Sequence, residues 1–102
     1  MSLSTHVLDA ACGRPAAGVP VRLEHGGAVV AEAVTDDDGR VRELGELEAG
    51  TYRLVFDTAA YFAGAPAFYP EVVVTFAVTD TAAHHHVPLL LSPFAYSTYR
   101  GS

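Results

Sequence analysis

Polar and apolar positions alternate over residues 5–10, with Thr5, Val7 and Asp9 on one side and His6, Leu8 and Ala10 on the other. A period of two predicts a half-buried strand. Gly and Pro punctuation at Gly13, Pro15 and Gly18 ends it in a loop. The next run turns Val19, Val21 and Leu23 inward and Arg22 and Glu24 outward. Pro20 near its beginning fits an edge strand or a strand start, where a missing amide donor is tolerated. Gly26-Gly27 predicts a hairpin turn, with residues 28–35 as the returning strand. His25, beside that turn, reads as a solvated surface residue. Asp36-Asp37-Asp38-Gly39-Arg40 is a tight acidic turn in which aspartates cap backbone amides and glycine takes positive φ.

Residues 51–57 form a further strand, with Tyr52, Leu54 and Phe56 on one face and Arg53 and Val55 on the other. Asp57-Thr58 caps a short helix over residues 59–63, closed by Gly64. Two prolines break the loop that follows. The β-branched run at 71–78 is a strand, and so are residues 84–91 and 94–99, separated by a turn at Ser92-Pro93. Roughly seven or eight short strands with one small helix make an all-β sandwich.

The 102 residues, half of them apolar and 18% charged, fit a single globular domain over positions 1–102. A formal charge of −6 without any basic run argues against nucleic-acid binding, which depends on neutralising phosphates. No apolar stretch reaches the length of a membrane span. Cys12 is the only cysteine, so no internal disulfide forms. The N-terminal segment from Met1 has neither a basic region nor an apolar one of the kind found in signal peptides. Together these features predict a soluble cytoplasmic protein.

Candidate chemistry gathers late in the chain. His84-His85-His86 opens a strand, and Tyr99-Arg100-Gly101-Ser102 brings a phenol, a guanidinium and a hydroxyl directly after another. His84 and His86 share a strand face, and with His6 they could form a three-histidine zinc site. His84 and His85 read more simply as surface residues at the start of a strand. The three aspartates lack the alternate ligands and distal glutamate of a calcium loop.

The ends of the chain resemble a known family. Ser4-Thr5-His6-Val7-Leu8-Asp9, the segment from Phe56 to Phe62, and His86-Val87-Pro88-Leu89-Leu90-Leu91-Ser92-Pro93 followed by Tyr96-Ser97-Thr98-Tyr99-Arg100-Gly101-Ser102 resemble the 5-hydroxyisourate hydrolases of the transthyretin-related family. The middle of the chain also resembles prealbumin-like accessory domains. The resemblance implies a transthyretin-like β-sandwich and hydrolysis of a small molecule, 5-hydroxyisourate, whose six-membered ring is opened at an amide-type bond. It implies a homotetramer, a dimer of dimers, with active sites in a channel between sandwiches. Carried over by position, the catalytic residues would be His6, Arg40 and His86, and the substrate-binding residues Tyr99, Arg100, Gly101 and Ser102. No metal and no cofactor is implied. One position departs from the pattern, because the family has an aromatic between two histidines where this chain has His85. On a strand His85 faces away from His84 and His86, so little effect on catalysis is expected.

Chemically, a histidine is the natural base for water attack near pH 7, and a nearby arginine keeps it neutral while offering donors to the developing oxyanion. His86 or His6 is the candidate base. The competing expectation is a transthyretin-like binding module without chemistry.

Overall fold

The first alternating run becomes strand β1, Leu3–Asp9. Its odd positions are buried, whereas Ser4, His6 and Leu8 are half-buried on the opposite face. The structure is a computed structural model describing residues 2–102; Met1, part of the N-terminal segment read above, lies outside the described residues. Eight more strands and one helix follow: β2 (Arg14–Pro15), β3 (Pro20–His25), β4 (Ala28–Val34), β5 (Arg40–Val41), β6 (Gly50–Phe56), α1 (Thr58–Phe62), β7 (Val72–Val78), β8 (His85–Leu91) and β9 (Tyr96–Thr98). Setting aside the two-residue β2 and β5, seven strands remain, within the expected range.

The strands form two sheets. One has the order β2-β1-β8-β9 with β5 also paired to β1, and the other has the order β4-β3-β6-β7. Between them lie Leu3, Val7, Leu89 and Leu91 from the first sheet and Leu23, Leu54, Phe56 and Val72 from the second. Such apolar burial is the main favourable contribution to folding. Pro20 opens β3, which sits between β4 and β6, so it marks a strand start and not an edge. Among the described residues no helix is long and apolar enough to cross a membrane.

The helix begins as its sequence predicts. Asp57 is the N-cap, and its carboxylate accepts the Ala60 amide at 3.0 Å. It ends earlier than expected, because Ala63 itself takes the left-handed conformation at φ 50° before Gly64 at φ 87°. The Tyr61 hydroxyl then reaches across to β1 and donates to Asp9 Oδ2 at 2.7 Å. Burial alone would push the Asp9 carboxyl up, but hydrogen bonds from Tyr61 and the amides of Ala11 and Cys12 together hold it below its ordinary value. Burial, reinforced by Asp9, pushes Tyr61 up to about 12.

These shifts have a definite sign. Asp9 contributes stability above its ordinary 3.8 that is lost as pH falls through the lowered value. Tyr61 contributes below its ordinary 10.0 and loses that contribution as pH rises towards about 12. Tyr61→Phe is therefore expected to lose about 1.5–3 kcal/mol at neutral pH, the range for a hydrogen bond to a charged group. Urea denaturation across pH should show the gap between wild type and variant closing at both extremes. A constant gap would mean that lost packing, not the hydrogen bond, explains the cost.

Candidate active site

β1 runs between neighbours on both sides, so residues from distant segments land beside His6. On one side the antiparallel register sets Arg40 of β5 opposite His6. On the other the parallel register sets His86 of β8 opposite Ser4 and Pro88 opposite His6. Ser4, His6, Arg40 and His86 are all half-buried. They lie on the face of the sheet that looks away from the core.

The acidic turn delivers Arg40 to this face. Asp36 Oδ1 accepts the amides of Asp38 at 2.9 Å and Arg40 at 3.0 Å. The Asp36 amide in turn donates to Arg40 O at 2.9 Å. The Arg40 amide bond is the main reason the Asp36 carboxyl lies below its ordinary value. Gly39 takes φ 74°, and its carbonyl accepts the Val7 amide at 2.7 Å. A Cβ on Gly39 would fall 2.4 Å from Val7 O, so only glycine lets the turn press against β1.

The C-terminal segment closes on the same place. The Gly101 amide donates to His86 O at 2.8 Å, forming an isolated bridge. A Cβ on Gly101 would meet His86 Cδ2 at 2.4 Å and Pro88 Cγ at 3.1 Å. The imidazole edge thus rests on a position that has room for hydrogen alone. Tyr99 and Arg100 are exposed and line, with His86, Val74 and Phe76, a groove of about 260 Å³. Ser102 is exposed at the end of the segment. A wider trough of about 440 Å³ lies on the other sheet, beside Arg22, Glu32 and Asp57, and holds none of these groups.

His86 is held by its own hydrogen bonds. Its Nδ1 lies 2.7 Å from Ser4 Oγ. The same hydroxyl lies 2.8 Å from His84 Nε2, and His84 Nδ1 lies 3.1 Å from Ser2 Oγ. Burial disfavours the His86 imidazolium most, and the charges of Arg40, His6 and His84 add to that, so its pKa falls below the ordinary 6.5. His84 and His86 do share a face, joined through Ser4. Among the described residues no three His, Cys, Asp or Glu side chains converge to hold a metal ion.

Two histidines are placed differently from expectation. His85 points away from His84 and His86 as predicted, but it is buried at 7% exposure and not on the surface. Its Nδ1 lies 3.0 Å from Ala83 O. The opposite side of β8 is the core side, so a residue facing away from the histidine pair must be enclosed. His25 is half-buried and stacks on Tyr52 at 4.2 Å between ring centroids, inclined by 17°. Cys12 is exposed beside Asp9, at the far end of β1.

Ser4 is the site residue that sequence reasoning did not single out. The period of two places it on the His6 face, but its partnership with His86 follows from a parallel register between residues 82 positions apart.

The HIUase/Transthyretin family model matches residues 3–101. This chain belongs to that family. It is 49% identical over 113 residues to a 5-hydroxyisourate hydrolase of Deinococcus radiodurans, covering 98% of this chain and 95% of that one. A 5-hydroxyisourate hydrolase of Caulobacter vibrioides is 46% identical over 112 residues, covering 98% and 97%. Among solved structures, Klebsiella pneumoniae 5-hydroxyisourate hydrolase matches with a TM-score of 0.92 at 39% identity over 100% of both chains. Sea bream transthyretin in complex with thyroxine matches with a TM-score of 0.89 at 33% identity over 99% of this chain and 95% of that one. The HIUase/transthyretin sandwich is common to both, so the fold does not separate a hydrolase from a transthyretin. Side-chain chemistry on the sheet must do so.

Proposed function

We propose that this chain is a 5-hydroxyisourate hydrolase acting in urate degradation, with His6, Arg40 and His86 as its catalytic residues. The observation that carries the reading is the meeting of those three residues on one outward face, fixed there by backbone register and not by loops. Water attacks the amide-type carbonyl, the six-membered ring opens, and the product is 2-oxo-4-hydroxy-4-carboxy-5-ureidoimidazoline.

His86 is the general base. It stays neutral near pH 7, because burial and the neighbouring Arg40 charge oppose its protonation. With Nδ1 on Ser4, its Nε2 is left to take a proton from water. Arg40 orients the water and donates to the oxyanion, a role worth about 10²–10³-fold in rate for a single donor. His6, opposite Arg40 in the sheet, is the partner histidine that holds the departing nitrogen in place for the proton His86 returns to it. Tyr99, Arg100, Gly101 and Ser102 hold the carbonyl and ring-nitrogen edges of the substrate. The chemistry needs no covalent intermediate and no cofactor.

The working form is a homotetramer of single-domain chains spanning 1–102. β7 and β9 are the last strands of their sheets, and their unpaired backbone groups favour pairing with a second copy. Tyr96, Tyr99 and Phe94 are exposed beside that edge, and stacking of two such pairs would enclose the His6 face.

The test is the ultraviolet decay of 5-hydroxyisourate, generated in the cuvette from urate by urate oxidase, after exhaustive chelation. Catalytic amounts should accelerate the decay with chelator present. Acceleration that returns only with zinc would assign the histidines to a metal site. Binding of a ligand such as thyroxine by a folded protein that leaves the decay unchanged would assign the chain to the carriers.

A further inference from the structure

We propose that Ser4 and His84 form a proton path that carries a proton from His86 to solvent during turnover. The inference rests on the reading of His86 as the base. Its geometric basis is the run of contacts His86 Nδ1–Ser4 Oγ at 2.7 Å, Ser4 Oγ–His84 Nε2 at 2.8 Å and His84 Nδ1–Ser2 Oγ at 3.1 Å. Within the single chain His86 is half-buried and His84 is exposed, so the run leads outward from His86.

A serine hydroxyl carries one hydrogen and two lone pairs. Ser4 therefore donates to one imidazole and accepts from the other. In one arrangement His86 Nδ1–H donates to Ser4, Ser4 donates to His84 Nε2, and His86 Nε2 is bare. In the other, both bonds are reversed and His86 carries its proton on Nε2. Moving two protons by one hydrogen bond each, with one proton gained at His86 Nε2 and one lost from His84 Nδ1, converts the first arrangement into the second.

Hydrolysis gives this run a task. Water brings two protons to the bond being broken. The first passes from water to His86 Nε2 as the C–O bond forms, and then to the departing nitrogen as the C–N bond breaks. The product at that moment is a carboxylic acid, which must ionise near pH 7. Its proton passes to His86 Nε2, the Nδ1 proton moves to Ser4 Oγ, and the Ser4 proton moves to His84 Nε2. His84 then releases its Nδ1 proton past Ser2. The carboxylate thus forms before product departs. Once the site is vacated, loss of the Nε2 proton of His86 to water and uptake of one at His84 Nδ1 restore the starting arrangement. No oxidant, metal or further reactant enters the balance.

The experiment compares Ser4→Ala, Ser4→Thr, His84→Phe and the Ser4→Ala/His84→Phe double variant for turnover of 5-hydroxyisourate, in weak non-nucleophilic buffer with and without added imidazole. His86→Gln is assayed beside them, and circular dichroism checks the fold of each. Ser4→Ala and His84→Phe should each lower kcat about tenfold at little cost in KM, with the double variant no worse than Ser4→Ala alone. Imidazole should restore all three as a soluble proton carrier, and Ser4→Thr, which keeps the hydroxyl, should stay near wild type. Wild-type kcat in Ser4→Ala and His84→Phe, with His86→Gln inactive, would overturn the path and leave the base in place. Losses that add together and ignore imidazole would overturn it as well, leaving Ser4 a packing role. Near wild-type turnover in His86→Gln would instead remove the base on which the path depends.

Discussion

His86→Gln is expected to yield a folded protein whose kcat for 5-hydroxyisourate falls by about 10²–10⁴-fold, the usual worth of a positioned general base. Glutamine has a similar reach and can still hydrogen-bond Ser4, so the polar contact at 2.7 Å is replaceable while the titrating lone pair is not. The side chain is half-buried on the outward face, away from the core that stabilises the sandwich. Its unfolding midpoint should therefore stay close to wild type. The loss should fall on kcat and kcat/KM alike, because the proton transfer belongs to the transition state. A rise in KM at unchanged kcat would make His86 a binding group only.

Gly101→Ala is expected to cost about 10²-fold in kcat/KM, although it adds only one methyl group next to the last residue. The reason is space and not backbone conformation, since Gly101 is absent from the positive-φ glycines. The added Cβ would sit 2.4 Å from His86 Cδ2 and 3.1 Å from His86 Cγ. The ring cannot withdraw freely, because Nδ1 is tied to Ser4 at 2.7 Å and Pro88 Cγ is equally close to the new atom. The tail can withdraw only by giving up the Gly101 amide bond to His86 O at 2.8 Å. Either the His86 imidazole or the terminal segment moves. Misplacements of about 1 Å carry losses of this size. Stability should hardly change, because one hydrogen bond near the terminus is at stake. Wild-type kcat/KM in Gly101→Ala would mean that the terminal segment is not packed on the base during turnover.

Much of the sandwich was legible because its signals are local. Gly26-Gly27 turns between β3 and β4, Asp36 and Gly39 build the acidic turn, and Asp57 caps the helix, each through bonds that span a few residues. Which face of β1 is buried was not legible. Both sides mix apolar and polar residues, and Asp9 lies on the enclosed one, where Tyr61 of α1 meets its carboxylate. That partner is 52 positions away, so no pattern near Asp9 announces it. His85 misled for a similar reason. A histidine triplet reads as polar surface, yet a strand with one face on the core must enclose every second residue.

The site divides along the same line. His6, Arg40, His86 and the terminal segment were named from the resemblance, and the register brings the first three to one face while Gly101 bridges to His86. The role of Ser4 depends on the parallel pairing of β1 with β8, a long-range choice made by packing. The need for glycine at 101 depends on where one imidazole edge comes to rest.

The most direct measurement is the pH dependence of kcat/KM for 5-hydroxyisourate, from about pH 5 to 8, in wild type and in Arg40→Gln. A base that must be neutral gives a rate that rises with pH and levels off above its pKa. Burial, and then Arg40, His6 and His84, hold His86 below its ordinary 6.5, so the wild-type midpoint should lie below that value. Removing the Arg40 charge takes away one of the influences opposing protonation. The midpoint in Arg40→Gln should therefore move upward, whatever the variant loses in absolute rate. A wild-type midpoint at or above 6.5, or one that stays in place when Arg40 is removed, would contradict the assignment of His86 as a base kept neutral by its surroundings.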